Sequence, residues 1–217
     1  LPDSKEIEAV LSLVDPHFIK LDPTSSTVFL EKKGMKLDLG AIAKGFAADE
    51  LTRIVKRAGV LYAVIDIGGT ISVVGTKPDG KRWNIGIRDP RVQQGQPIIS
   101  VPMESRSIST SGSYERYFEQ DGVRYHHIID PATGYPVRST MIAVSVFSNS
   151  ATDADALSTA CFVLGYEKAV KLLAELPGTE ALFIFDDNSV RATGGLKKNI
   201  VILNSAFRFA DTDIAGK

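Results

Sequence analysis

The chain has 217 residues, 44% of them hydrophobic and 24% charged, an ordinary globular composition long enough for one sizeable core. A formal net charge of −1 with both signs interspersed excludes the electrostatic footprint of a nucleic-acid or anionic-membrane binder, so an anionic ligand needs local help. The sole cysteine, Cys161, excludes an internal disulfide; there is no secretory signal or lipobox, and no apolar run is long enough to cross a membrane.

Residues 5–14 read as a short helix, and "STVFLEKK" from Ser26 as a strand running to a turn at Gly34. The next segment, "LDLGAIAKGFAADELTRIVKRAG", places Ile42, Phe46, Leu51, Ile54 and Val55 near helical spacing. It enters through Asp38-Leu39-Gly40 and stops at Gly59. Gly40 and Gly45 allow close backbone approach, the helix start offers N–H groups to an anion, and Lys44 can reach a phosphate as a point charge. A Gly-flanked helix start with one solvated lysine is the alternative.

Short β-rich runs follow: "YAVIDIGG", "ISVVGT", "WNIGIRDP", "IISVPMES", "SISTSG", "VRYHHIID" and "MIAVSVFS", separated by turn residues that imply antiparallel hairpins. Gly68-Gly69 reads either as a hairpin turn or as backbone that a ligand approaches, with Asp66 or the glycine amides as partners. Ser109, Thr110 and Ser111 read as ordinary strand residues or as a polar rim beside a ligand. In "YHHIIDPATGYPV" a strand runs through two histidines into Asp-Pro-x-Thr-Gly turn chemistry, and strand ends that open into loops are common places for chemistry. Period-two alternation sends His126 and His127 to opposite faces, with His127 aligned with Ile129. A histidine there can act as general acid or base, orient a phosphate, or be a satisfied polar group at a sheet edge.

"SATDADALSTACFVLG" and "EKAVKLLAELPG" predict two consecutive helices broken near Gly165, followed by a closing hairpin, "ALFIFDDNSVRATGG", turning at Asp187-Asn188. Asp155 and Thr159 stand four apart on one helical face, while the apolar stripe runs through Ala156, Leu157, Ala160, Cys161, Val163 and Leu164. Both are therefore expected to point away from the main core. A carboxylate and a hydroxyl at this spacing suit a small hard cation such as Mg²⁺; an acidic first turn favoured by the helix dipole is the other reading. Strands and helices are segregated, which predicts an α+β fold: an antiparallel sheet with helices packed on one face.

Taken in order, "LDLGAIAKGFAADE", "VIDIGG", "STSGSYERYF", "HHIIDPATGYPV" and "TDADALSTACFVLG" closely resemble the ApbE family of FAD:protein FMN transferases over almost the whole chain. The most specific of these are His-Ile-Ile-Asp-Pro-x-Thr-Gly and Asp-Ala-x-x-x-Thr. The resemblance implies a T-fold-like two-layer architecture and a single domain over 1–217 that lacks the family's usual N-terminal portion. It implies FAD bound with Mg²⁺, and transfer of FMN onto a Ser or Thr hydroxyl of a target protein with release of AMP. By the same resemblance Asp155 and Thr159 are Mg²⁺ ligands together with the Ala43 carbonyl, and Lys44 is a diphosphate contact. His127 is implied to help deprotonate the acceptor, with Asp130 fixing the loop behind it. Gly68, Gly69 and Ser109 to Ser111 are implied to line the cofactor pocket. The implied acceptors are flavoprotein subunits of membrane redox complexes, and the implied setting is the periplasmic face of a membrane, often through a lipid anchor. Two alternatives stand beside transfer: a Mg²⁺-dependent FAD diphosphatase, and a non-catalytic flavin-binding module.

Overall fold

The computed structural model describes residues 1–92 and 95–210. The chain opens with helix α1 (Ser4–Leu11), whose start is closed by a reciprocal capping box between Asp3 and Glu6. A short hairpin follows, β1 (Ile19–Asp22) with β2 (Thr27–Leu30). Then come α2 (Ala43–Arg57), β3 (Ala63–Ile67), β4 (Thr70–Val74), β5 (Trp83–Arg88), β6 (Pro97–Met103) and β7 (Ser107–Gly112). The second half contains β8 (Tyr117–Gln120), β9 (Val123–His126), β10 (Met141–Ser148), α3 (Ala151–Leu164), α4 (Tyr166–Ala174), β11 (Glu180–Phe185), β12 (Ser189–Ala192), β13 (Val201–Ile202) and β14 (Arg208–Phe209).

The central sheet has seven strands in the order β14-β12-β11-β10-β7-β4-β3, antiparallel throughout except for the parallel β12–β14 pair. Helices α2, α3 and α4 pack against one face, in agreement with the α+β reading. A smaller sheet, β13-β6-β5, covers the other face. Both faces of the central strands are thus buried, so β10 reads as a nearly continuous apolar run (MIAVSVFS). Its alternation divides two cores. Ala143 and Phe147 join Ile99, Val101, Leu182 and Ile184 between the sheets, while Val144 and Val146 join Phe162, Leu173 and Phe183 under the helices. A register shift between Met141 and Ala143 lets Met141 drop into the helix-side core. Phe147 and Phe183 are wholly buried, and truncating either to Ala should cost about 3–5 kcal/mol.

Two helix faces differ from the sequence expectation. In α2 the buried residues are Gly45 and Ala48, while Ile42, Phe46, Leu51 and Ile54 are exposed, Phe46 by 60%. The reason is steric: α2 lies so close to α3 that a Cβ on Gly45 would fall 2.3 Å from the Ala151 carbonyl oxygen, leaving room only for small residues. In α3 the buried residues are Ala151, Ala154, Asp155, Ser158, Cys161 and Phe162; of the expected stripe Cys161 is buried and Leu157 and Val163 pack half-buried against the helix-side core, while Leu164 is exposed. Asp155 therefore points inward, against the expectation that it faces away from the core. Burial pushes the Cys161 thiol up to about 12, so it sits in this core as an un-ionised group.

Candidate functional site

The site is built around Asp155, which is 1% exposed. Burying a carboxylate is costly unless its oxygens are engaged, and here both are. Oδ2 accepts from the Gly45 backbone N–H at 2.8 Å. Oδ1 accepts from Ser109 Oγ at 3.0 Å and from the Lys44 ammonium at 3.1 Å. The Thr70 hydroxyl lies 3.4 Å from Oδ1 and 2.8 Å from Ser109 Oγ. Lys44 keeps 40% of its side chain exposed, so the pair joins a fixed anion to a movable cation at the surface.

Four elements, α2, α3, β4 and β7, meet here because their sequences are small or polar where they touch. Gly45 lets α2 reach α3. Where β4 pairs with β7 the helix-facing residues are hydroxyls, Thr70 opposite Ser109 and Ser72 opposite Ser107, the latter pair 2.9 Å apart. Asp49 locks the helices together. Its carboxylate accepts from Ala151 N–H (2.8 Å), Thr152 N–H (2.9 Å), Thr152 Oγ1 (2.7 Å) and Ser150 Oγ (3.1 Å), capping α3 from a side chain on α2. Partial burial pushes the Asp49 carboxyl up, but these hydrogen bonds outweigh it and hold the group below the ordinary carboxylate range. Asp49 was not singled out in the sequence, since an Asp inside a helix carries no local sign of capping a different helix.

The other sequence candidates distribute as follows. Gly68 (φ 55°) and Gly69 (φ 96°) form the β3–β4 turn, closed by Asp66 accepting from Gly69 N–H at 3.1 Å. A Cβ on Gly68 would lie 3.9 Å from Lys44 Cδ, which places this turn beside the Asp155 cluster. Gly68, Gly69 and Thr110 line a cavity of about 680 Å³, with Ile85 and Arg88 on its other side. The three β7 hydroxyls do not form one rim. Ser109 is wholly buried behind Asp155. Thr110 faces the opposite side of the sheet and bonds Ser145 Oγ at 2.7 Å, while Ser111 bonds Ser158 (2.8 Å) and Thr159 (3.1 Å) under α3. This is strand alternation at work. The start of α2 is also not an open set of amides: Ala43 N–H is bonded to the Leu39 carbonyl and Gly45 N–H to Asp155. The half-exposed Lys44 ammonium stands at this helix start, where it can meet an anion.

His126 and His127 do part company as alternation requires. His126 is buried, with Nε2 2.8 Å from the Val137 carbonyl and Nδ1 accepting from Ile128 N–H at 3.3 Å, edge-on to Phe162. Those partners select the neutral Nε2–H tautomer, and burial, aided by His127 and Arg124, lowers its pKa against the opposing pull of the Val137 carbonyl. His127 is exposed, just past the end of β9, with both its backbone N–H and Nδ1 directed at the Arg116 carbonyl (3.0 and 3.3 Å). A carbonyl at Nδ1 selects the Nδ1–H tautomer and leaves Nε2 as the basic nitrogen. Asp130 accepts from Ala132 N–H at 2.9 Å, and its own N–H bonds the Tyr135 carbonyl, so the Asp-Pro-x-Thr-Gly segment folds back as a closed loop. His127 lines a second cleft, of about 480 Å³, with Arg116, Tyr117, Tyr125 and Tyr135. Among the described residues no hydrogen bond or ion pair joins it to the Asp155 cluster.

Comparison with known proteins places the chain among relatives. The ApbE family model matches residues 1–183. A Treponema pallidum protein named FAD:protein FMN transferase is 45% identical over 220 residues, covering 95% of this chain and 61% of the relative. A Klebsiella pneumoniae protein of the same name is 36% identical, covering 97% of this chain and 65% of its own length. Among solved structures, the ApbE protein of Thermotoga maritima superposes with a TM-score of 0.83 at 35% identity, over 92% of this chain and 64% of that one. The chain thus spans less than two thirds of the length of these relatives.

Proposed function

The chain belongs to the ApbE family, and from that premise we propose that it moves FMN from FAD onto a Ser or Thr hydroxyl of a target protein, releasing AMP. The observation that carries the reading is the convergence of Lys44, the Gly68-Gly69 turn and Asp155 at one edge of the sheet, from three separated segments.

Asp155, Thr159 and the Ala43 carbonyl offer the hard oxygen donors that Mg²⁺ prefers, and Asp155 already carries a cation in the Lys44 ammonium. When bound, Mg²⁺ supplies charge stabilisation to the diphosphate and to the phosphate that departs with AMP. Lys44, half-exposed, can turn from Asp155 to a diphosphate oxygen and hold it as a point charge. His127 takes the hydroxyl proton on Nε2 as the acceptor oxygen bonds to the FMN phosphorus and the phosphorus–oxygen bond to AMP breaks. Asp130 holds the loop that presents His127. In this reading the acceptors are flavoprotein subunits of membrane redox complexes on the extracytoplasmic side. Flavinylation of such a subunit co-exported with this protein, and its absence when both stay in the cytoplasm, is the check.

The test of the reaction is incubation with FAD and Mg²⁺, with and without a threonine-bearing acceptor peptide, following AMP release and peptide-linked FMN by mass spectrometry. The expected result is peptide-linked FMN that disappears in Asp155→Ala. Free FMN without acceptor dependence makes the protein a diphosphatase, and no turnover by folded protein overturns both.

A further inference from the structure

The helix-facing side of β4 and β7 is unusual for a sheet interior. Its inter-sheet side carries Ile71, Val73 and Ile108, while the side under α2 and α3 carries Thr70, Ser72, Ser107 and Ser109, all buried. A buried hydroxyl has no water to fall back on, so each needs a protein partner. Thr70 and Ser109, both 0% exposed, stand opposite each other in register.

Their proton count defines the arrangement. Three contacts are present: Thr70 to Ser109 at 2.8 Å, Ser109 to Asp155 Oδ1 at 3.0 Å, and Thr70 to the same oxygen at 3.4 Å. Two hydroxyls have only two hydrogens to donate. The shorter distances select a chain in which Thr70 O–H donates to Ser109 and Ser109 O–H donates to the carboxylate. Each link polarises the next, and the last is charge-assisted.

We propose that Thr70 and Ser109 are positioning residues for a divalent cation: a two-hydroxyl relay that fixes the Asp155 carboxylate. With Ser109 on Oδ1 and Gly45 N–H on Oδ2, each oxygen is pinned by a group on a rigid element, strand β7 or helix α2. Lys44 is the one removable partner. Once it leaves, both oxygens keep a free lone pair in a fixed direction, and the cation binds without reorganising its ligand. The inference rests on the proposed reading of Asp155 as a cation ligand.

The experiment is a Mn²⁺ titration, read by electron paramagnetic resonance of the free ion, on the wild type, Ser109→Ala, Thr70→Val and Thr70→Ser, with urea midpoints measured in parallel. Ser109→Ala should weaken Mn²⁺ affinity about 10- to 100-fold, the usual effect of removing a group that orients a metal ligand. Thr70→Val should weaken it less, and Thr70→Ser, which keeps the relay proton, should retain wild-type affinity. Variants with lowered urea midpoints but unchanged Mn²⁺ affinity would overturn the inference and leave the hydroxyls a packing role. Equal loss in Thr70→Ser and Thr70→Val would also overturn it. Failure of the wild type to bind Mn²⁺ would overturn the cation reading and the relay with it. The Thr70 pair keeps the test decisive if Ser109→Ala does not fold.

Discussion

Gly45→Ala tests the packing that assembles the site, because local and tertiary reasoning predict opposite signs for it. In an isolated helix the substitution stabilises by about 1 kcal/mol. Here the new Cβ would stand 2.3 Å from Ala151 O, 2.7 Å from Asp155 Cβ and 2.7 Å from Thr152 Cα, with ordinary contact beginning at 3.4 Å. The helices must separate by roughly 1 Å to admit it, and none of the three obstructing atoms is the end of a flexible side chain. Overpacking of this kind costs about 1–3 kcal/mol. Separation also stretches the 2.8 Å bond from Gly45 N–H to Asp155, and a hydrogen bond to a charged group contributes about 1.5–3 kcal/mol. Less the propensity gain, the expected net loss is about 1.5–5 kcal/mol, measured as a lower urea midpoint at unchanged m-value. A variant as stable as the wild type, or more so, would refute the close α2–α3 contact from which the site is derived.

Three further outcomes are expected. Asp49→Ala removes the acceptor of two α3 N-terminal amides and should cost about 1–3 kcal/mol in chemical denaturation. Because the folded state holds the Asp49 carboxyl low, its contribution is fully present above the unfolded value near 4 and is lost as pH falls through the folded value; Asp49→Asn should remove that part of the acid-side slope. His126 is held neutral, so the unfolded chain binds the extra proton first: stability should fall as pH drops below about 6.5 and level off beneath the lowered folded value, and His126→Gln should flatten this limb in denaturation curves at pH 5.5 and 7.5. His127→Ala, at an exposed position, should change stability by no more than about 0.5 kcal/mol and leave Mn²⁺ binding intact while abolishing peptide flavinylation; retained transfer would remove His127 from the proposed chemistry.

Much of the element order is legible without coordinates. Short β-rich runs bounded by Gly, Pro, Asn or Asp mark β3 through β7 and β10 through β12, because β-forming composition and turn residues are local properties of the chain. The turns at Gly68-Gly69 and Asn188 occur where those residues predict them. The hairpin partner β1, the four-residue β8 and the two-residue strands β13 and β14 are not legible in the sequence, since runs so short carry little periodic signal.

What the sequence determines by itself is the set of segments and the chemistry they carry: the ordered motifs, their family, and an α+β chain of strands and helices in separate blocks. Which side of each segment faces inward was decided only by the tertiary structure. Polarity alone sends Asp155 to solvent and Ile42, Phe46 and Ile54 to the core, and the structure reverses both. The cause lies between elements: Gly45 lets two helices approach until only small residues fit, and Thr70, Ser109 and Lys44 together make a buried carboxylate affordable. A carboxylate's burial depends on donors that lie 46, 110 and 111 residues away along the chain, and no local pattern can count them.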